Sequence, residues 1–242
     1  MGAIYFASDL HLTSIKSGTF DQFVDFCGRV AADGESLYLL GDVFEAYVGD
    51  DDDSPLLAAV LACLRRLSDA DIAVGFAHGN RDFLVGAGFA AGSGARLMED
   101  VETIGLAGRR VALLHGDTLC SDDLAYQTVR RQLRDPAWQA HFLAQGLDAR
   151  RAFAAQARAQ SAEHTAMAAA QIMDVNGGAV ADLLARTGAD WIIHGHTHRP
   201  AVHDLGAGKR RIVLGDWPRA ASWLRVEGDT AQLHFEGRAL SV

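Results

Sequence analysis

Five short apolar runs, each ending directly in a polar motif built from Asp, Asn or His, narrow what this chain can become. The runs are Ala3 to Ala7, Leu37 to Leu40, Ile72 to Ala77, Val111 to Leu114 and Trp191 to Ile193. Behind them stand Ser-Asp9-Leu-His11, Gly41-Asp42, His78-Gly-Asn80-Arg81-Asp82, His115-Gly-Asp117 and His194-Gly-His196-Thr-His198. A short apolar run bounded by turn residues reads as a buried strand. In α/β sheets, ligands gather at the carboxyl ends of the strands. The expectation is five strands carrying Asp9, His11, Asp42, Asn80, His115, His196 and His198 to one edge of one sheet, as a site for two metals.

The residue types define that site's chemistry. Asp9 and His11 lie two apart and reach one ion from a strand end. Asp42 has two oxygens and can bridge. Asn80 offers a neutral oxygen, and the three later histidines offer ring nitrogens. Such mixed ligation suits Mn, Fe, Zn or Co and is too nitrogen-rich for a dedicated Ca or Mg cage. A pair of such ions ~3.5–4 Å apart acidifies a water and clamps a phosphoryl group. No G-x-S-x-G or G-x-x-x-x-G-K-[ST] run offers a rival chemistry. His78 and His194 stand on the strand side of their motifs, where packing or support of a ligand is expected. His141, His164, His203 and His234 are assigned no role at the metals.

Composition excludes several classes. A net charge of −9 argues against a grip on long nucleic acid. Cys27, Cys63 and Cys120 have no C-x-x-C spacing and read as reduced thiols. No window approaches the ~20 apolar residues of a membrane span, and no signal peptide precedes Asp9, so any membrane contact is expected to be peripheral. At 242 residues the chain fits a single domain.

Helical spacing recurs at Phe20, Phe23, Val24, Cys27 and Val30, and again at Leu56, Leu57, Val60, Leu61, Leu64 and Leu67. Ser54 and Pro55 predict the start of the second helix. From residue 121 to about 173 glycine nearly vanishes, and arginines cluster at Arg130, Arg131, Arg134, Arg150, Arg151 and Arg158. This segment reads as several helices inserted into the frame. Its Trp138, Phe142, Leu143 and Phe153 are candidates for an apolar groove. Its arginines suit either anionic headgroups or a solvated face. A further helix is predicted from about Val175 to Ala185, ending near Gly188. Strands are predicted at residues 212–214, 222–226 and 231–235.

The order D-x-H, G-D-x-x-E, G-N-R-D, H-G-D, H-G-H-T-H resembles the calcineurin-like binuclear metallophosphoesterases. That resemblance implies an α/β fold, a two-sheet β-sandwich flanked by helices, with residues 121–173 as a helical lid. It also implies a ligand set: Asp9, His11, Asp42 and His198 for one ion, and Asp42, Asn80, His115 and His196 for the other. The longer motifs, Gly41 to Asp53, His78 to Phe83, His115 to Asp123, Ile172 to Asn176 and His194 to His203, are similar to those of the UDP-2,3-diacylglucosamine pyrophosphohydrolases. By that likeness two Mn²⁺ ions serve hydrolysis of a pyrophosphate in lipid A biosynthesis, at the cytoplasmic face of an inner membrane. No nucleic acid and no obligate protein partner is implied. Catalytic roles fall to Asn80, Arg81 and His196, and substrate contacts to Asn80, Arg81, Asp123, Ser161, Thr165 and His196.

Two departures stand out: Thr165 replaces a frequent asparagine, and Ala168 a frequent lysine. Many enzymes of the superfamily place a histidine where Arg81 stands. A histidine helps a basic leaving group. A fixed, forked cation suits a phosphate that leaves readily. Arg81 therefore points to pyrophosphate cleavage, the alternative use being an ion pair with Asp82. Other phosphoesterase substrates (dinucleoside polyphosphates, cyclic nucleotides, nucleic-acid ends) or a non-catalytic scaffold are the rival readings.

Overall fold

The computed structural model describes residues 2–167 and 174–242, with side chains described through Ala159 and again from Asp174. Two sheets stack between helices. The first contains β1 (Ala3–Ala7), β2 (Gly34–Leu39), β3 (Ala73–Phe76) and β4 (Arg96–Leu97), all parallel, extended antiparallel by β10 (Trp223–Glu227), β11 (Thr230–Phe235) and β12 (Arg238–Ser241). Its order is β12-β11-β10-β1-β2-β3-β4. The second contains β5 (Glu102–Leu106), β6 (Arg109–Leu113), β7 (Trp191–His194), β8 (Ala201–Gly206) and β9 (Lys209–Val213), in the order β5-β6-β7-β9-β8.

Strand alternation assigns each face. Along β1, Ala3, Tyr5 and Ala7 join the core under the helices, while Ile4 and Phe6 face the other sheet. Along β6, Val111 and Leu113 meet the first sheet, and Ala112 turns to the opposite core with Leu114. Helices α1 (Gly18–Asp33), α2 (Pro55–Asp69) and α3 (Ala87–Ser93) cover the first sheet, and α7 (Gly177–Thr187) supplies Val180 and Leu183 to the core against the second. Ser54 accepts the Leu57 N–H at 3.2 Å, with Pro55 in the first turn, as expected of that pair. The α1 stripe differs in one place: Val24 is exposed and Phe26 is buried.

The prediction of one sheet edge is corrected. The runs ending at Ala7, Leu40 and Ala77 belong to the first sheet, and those ending at Leu114 and Ile193 to the second. A run of apolar residues signals a strand buried on both faces without saying which sheet it joins. The motifs still converge, because the carboxyl ends of β1, β2, β6 and β7 meet where the two sheets lie together. Leu40 N–H bonds to Ala7 carbonyl, Leu114 N–H to Ile193 carbonyl, and the His115 ring crosses from one sheet to the Leu40 carbonyl of the other. Strands β4, β5, β8 and β12 and helix α3 were not anticipated. Between β6 and β7 lie a short 3-10 turn (Asp117–Leu119) and α4 (Leu124–Leu133), α5 (Pro136–Leu143) and α6 (Leu147–Met167).

Candidate metal centre

The loops after the strands hold their side chains by unusual backbone. Asp9, His11, Asp42, His196 and His198 have φ of 56°, 48°, 55°, 67° and 55°. Left-handed backbone costs a non-glycine residue of order 1–2 kcal/mol, and such strain gathers where function demands it. Two glycines make the remaining room. A Cβ on Gly79 would strike the Asp42 carboxylate, and one on Gly195 would strike the carboxylate of Asp9 and the Ser8 hydroxyl. The glycines of H-G-N and H-G-H-T-H are therefore required by close approach.

The side chains form two adjoining groups. In one, Asp9 Oδ1 lies 3.3 Å from His198 Nε2 and 3.9 Å from His11 Nε2, and the two ring nitrogens are 3.2 Å apart. In the other, Asn80 Oδ1 lies 2.9 Å from His115 Nε2 and 3.0 Å from His196 Nδ1, with those nitrogens 3.3 Å apart. Asp42 Oδ2 sits between them, 3.9 Å from His11 Nε2 and 3.7 Å from His115 Nε2. The structure thus brings these seven side chains together.

The arrangement fits cations. Asp9 Oδ1 is buried and makes no hydrogen bond. Ring nitrogens pointing at one another at 3.2–3.3 Å match two ligands on one ion, since M–N bonds of about 2.0–2.1 Å place neighbouring ligands about 3.0–3.4 Å apart. Outer contacts aim the rings: His11 Nδ1 faces Glu45 Oε2 at 2.6 Å, and His115 Nδ1 donates to the Leu40 carbonyl at 2.9 Å, so both Nε2 atoms face inward. Burial, with Asp82 and Asp9 close by, pushes the Asp42 carboxyl up to about 6 even beside His115 and His11. Burial and the His115 ring push His196 down to about 4. A divalent cation would favour the carboxylate and the unprotonated rings together.

Several residues have structural work of their own in these loops. Asp82 does not pair with Arg81 in an ion bridge; its buried carboxylate accepts N–H bonds from Gly79, Asp42 and Val43. Arg81 donates its own N–H to Asp42 Oδ1 at 2.8 Å, and its side chain lines a cavity beside Asn80. Asp123 is buried and caps α4, accepting the Tyr126 N–H at 2.9 Å. The side chains of Ser161 and Thr165, and all of Ala168, lie outside the described residues. His194 is buried and bonded to Gly195 and Arg211, and His78 Nε2 donates to the Val85 carbonyl at 2.7 Å. Glu45, Asp117 and Tyr126 were assigned no role in advance. Asp117 is buried, accepts from Tyr126 Oη and Arg130 Nε, and Tyr126 tilts its ring against His196 at 5.7 Å.

The cavity beside Asn80 and Arg81, about 440 Å³, runs between the core and the insert. Trp138, Phe142 and Phe153 line it and pack on one another, with ring centroids 5.0 and 5.2 Å apart along that chain. Leu143 is not part of the wall; it is exposed on the outside. Of the insert's clustered arginines, Arg131 is exposed and among the described residues bonds only Thr128 of its own helix, while the others pair with acids. Arg150 bonds Asp51 and the Val48 carbonyl, Arg151 meets Asp52 and Asp53, Arg130 meets Asp117, and Arg158 meets Glu45. No described helix is long and apolar enough to cross a membrane.

The chain matches the model of the calcineurin-like phosphoesterases over residues 2–200. It is 49% identical to a UDP-2,3-diacylglucosamine hydrolase of Cellvibrio japonicus, over 88% of this chain and 90% of that protein. It is 46% identical to a protein of the same name from Xanthomonas axonopodis pv. citri, over 94% and 96%, and 43% identical to one from Escherichia coli, over 96% and 99%. Among solved structures, a dimetal phosphatase from Danio rerio superposes with a TM-score of 0.55 at 14% identity, covering 100% of this chain and 98% of that one. Vacuolar protein sorting 29 of Cryptosporidium parvum gives 0.52 at 12%, covering 100% and 95%. These two likenesses concern the fold.

Proposed function

Since the chain belongs to the calcineurin-like phosphoesterases and, within them, to the family of UDP-2,3-diacylglucosamine hydrolases, we propose that it hydrolyses the pyrophosphate of UDP-2,3-diacylglucosamine at the α-phosphorus. The products are UMP and 2,3-diacylglucosamine 1-phosphate. The observation that carries this reading is the apolar cavity ending at Asn80 and Arg81, directly beside the strained ligand cluster. A reacting anhydride held there has room for acyl chains on one side only.

Asp9, His11, Asp42 and His198 would hold one Mn²⁺, and Asp42, Asn80, His115 and His196 the other. Two bound divalent ions supply an acidified water and neutralise phosphoryl charge. The chain's own residues do the rest. Asp82 and Gly79 hold the loop that presents Asn80 and Arg81. Arg81 offers a fork to the departing sugar phosphate, whose low basicity calls for charge and not for a proton. Tyr126, anchored on Asp117, braces the His196 ring. Asp123, Ser161 and Thr165 contact the sugar or its phosphate from the lid. Trp138, Phe142 and Phe153 receive the acyl chains. An enzyme with such a substrate works as a peripheral protein at the cytoplasmic face of the inner membrane.

UMP release from the diacylated UDP-sugar should require added Mn²⁺, stop with chelator and exceed release from a diadenosine polyphosphate. In heavy-oxygen water the label should enter UMP; label in the sugar phosphate refutes attack at the α-phosphorus. Arg81→Ala with unchanged kcat/KM removes the leaving-group role.

A further inference from the structure

Two cavities flank the ligand cluster, and they differ in chemistry. The apolar one stops at Asn80 and Arg81. A second, of about 330 Å³, opens at Thr197 and His198, on the cluster's other flank, and is walled by Arg211 of β9, His203 of β8 and Phe235 of β11. Its size lies within the range of small-ligand pockets.

Three arginines reach this second cavity, and two of them are neutralised. Arg199 pairs with Asp174 at 2.7 Å and Arg219 with Glu236 at 2.8 Å. Arg211 differs. It is 8% exposed. Among the described residues no carboxylate lies within 4.0 Å of it, and its one side-chain hydrogen bond runs from Nη1 to His194 Nε2 at 3.2 Å. A guanidinium has five N–H donors, and burying such a charge without a counterion costs several kcal/mol. The hydroxyl of Thr197 is also buried with no partner, in the wall of the same cavity. A buried arginine with no described carboxylate beside it, a buried hydroxyl with no hydrogen bond and one aromatic ring thus line a space beside the reacting centre, away from the lipid side.

We propose that this cavity receives the nucleoside monophosphate half of the substrate, with Arg211 donating to acceptor oxygens of the nucleotide and Phe235 offering a face to the base. The assignment rests on the substrate reading above: a substrate with a lipid-sugar on one side of its anhydride and a nucleotide on the other needs two unlike cavities, and the cluster lies between two. Arg211 is a binding residue of the nucleotide side, which carries the attacked phosphorus, and not of the departing sugar phosphate. It touches none of the seven candidate ligands within hydrogen-bond distance in the described structure.

The probes are UMP, inorganic phosphate and 2,3-diacylglucosamine 1-phosphate, titrated by calorimetry into the Mn²⁺-loaded protein and its Arg211→Met and Arg211→Lys variants. Loss of a charged hydrogen bond predicts that Arg211→Met weakens UMP by about tenfold or more. Arg211→Lys should recover part of that loss, and the lipid product should bind within about twofold of the parent. Unchanged UMP affinity in Arg211→Met overturns the assignment, as does an equal loss for UMP and the lipid product, which marks a structural role. Loss for inorganic phosphate as large as for UMP overturns the nucleoside contact. Should Arg211→Met not fold, the parent protein decides: UMP must shift the Arg211 side-chain N–H resonance, and no shift sinks the idea. UMP binding through Arg211 without hydrolysis of the UDP-lipid would refute the proposed function alone. Hydrolysis with Arg211-independent UMP binding would refute this subsite alone.

Discussion

Asp82 carries the consequence of burying one carboxylate among backbone donors. It accepts N–H bonds from Gly79 at 2.8 Å, Asp42 at 3.1 Å and Val43 at 2.7 Å, so two motif loops from neighbouring strands are tied through one side chain. Hydrogen bonds to a charged group are worth about 1.5–3 kcal/mol, and orphaned buried donors cost more than the bonds gained. Asp82→Ala is expected to lower unfolding stability by about 3 kcal/mol or more in urea and to abolish Mn²⁺ binding; a stability loss under about 1 kcal/mol would contradict the three-bond picture. The seven candidate ligands could be read from the chain because donor types and glycine spacing are local properties. Asp82's task could not. Its partners at residues 42 and 43 are distant in sequence, and beside Arg81 an acidic residue reads as an ion pair. Glu45 was visible as part of G-D-x-x-E, yet its bond to His11 Nδ1 appears only once the two loops are together.

Elements show the same division between local and distant causes. Three of the four strands missed in advance, β5, β8 and β12, belong to tight hairpins whose turn residues gave little signal, while the fourth, β4, is a two-residue parallel edge strand. Leu106 pairs with Arg109 across Ala107-Gly108, Gly206 with Lys209 across Ala207-Gly208, and Phe235 with Arg238 across Glu236-Gly237. Each turn has positive φ at both central residues, as a type I′ turn requires. Asn-Gly is the usual signature, and alanine or glutamate at the first position hides it. Ala207→Asn should therefore stabilise the protein by about 0.5–1 kcal/mol, read as a higher Tm; a lower Tm would mean that the turn is held by something other than its backbone. The helical insert was legible in composition, but its attachment was not. Arg150 is 2% exposed and joins the Val48 carbonyl at 2.6 Å as well as Asp51, while Arg151 meets Asp52 and Asp53 in solvent. Arg150→Ala should cost about 2 kcal/mol and raise KM for the acylated substrate; Arg151→Ala should change neither Tm nor KM measurably. Arg150 and Arg151 hold the carboxyls of Asp51 and Asp53 below their ordinary value. A depressed carboxyl stabilises fully above the unfolded pKa of about 3.9 and loses that contribution as pH falls through the folded value. Amide exchange in the first turns of α6 should accordingly quicken below about pH 4 before exchange in α2 does.

At the scale of the whole molecule, the candidate centre is a seam between sheets. Asp9, Asp42 and Asn80 follow strands of the first sheet, and His115, His196 and His198 follow strands of the second. Each proposed ion therefore takes ligands from both, and the strained backbone at five of these positions is a cost that cation binding must offset. Anything that binds the folded chain alone stabilises it by RT ln(1 + [L]/Kd), about 2.7 kcal/mol at a hundredfold excess over Kd. For a chain of 242 residues that is a rise in Tm of about 5–10 °C. Differential scanning calorimetry with Mn²⁺ added or chelated should show this shift, and it should grow with the logarithm of free Mn²⁺. His115→Ala and His198→Ala, one from each proposed ion's set, should each lose part of it, whereas Arg151→Ala should keep all of it. A Tm indifferent to chelation would mean that the cluster holds the two sheets together without a cation. The proposed ligand sets would then have to be withdrawn, however well the seven side chains converge.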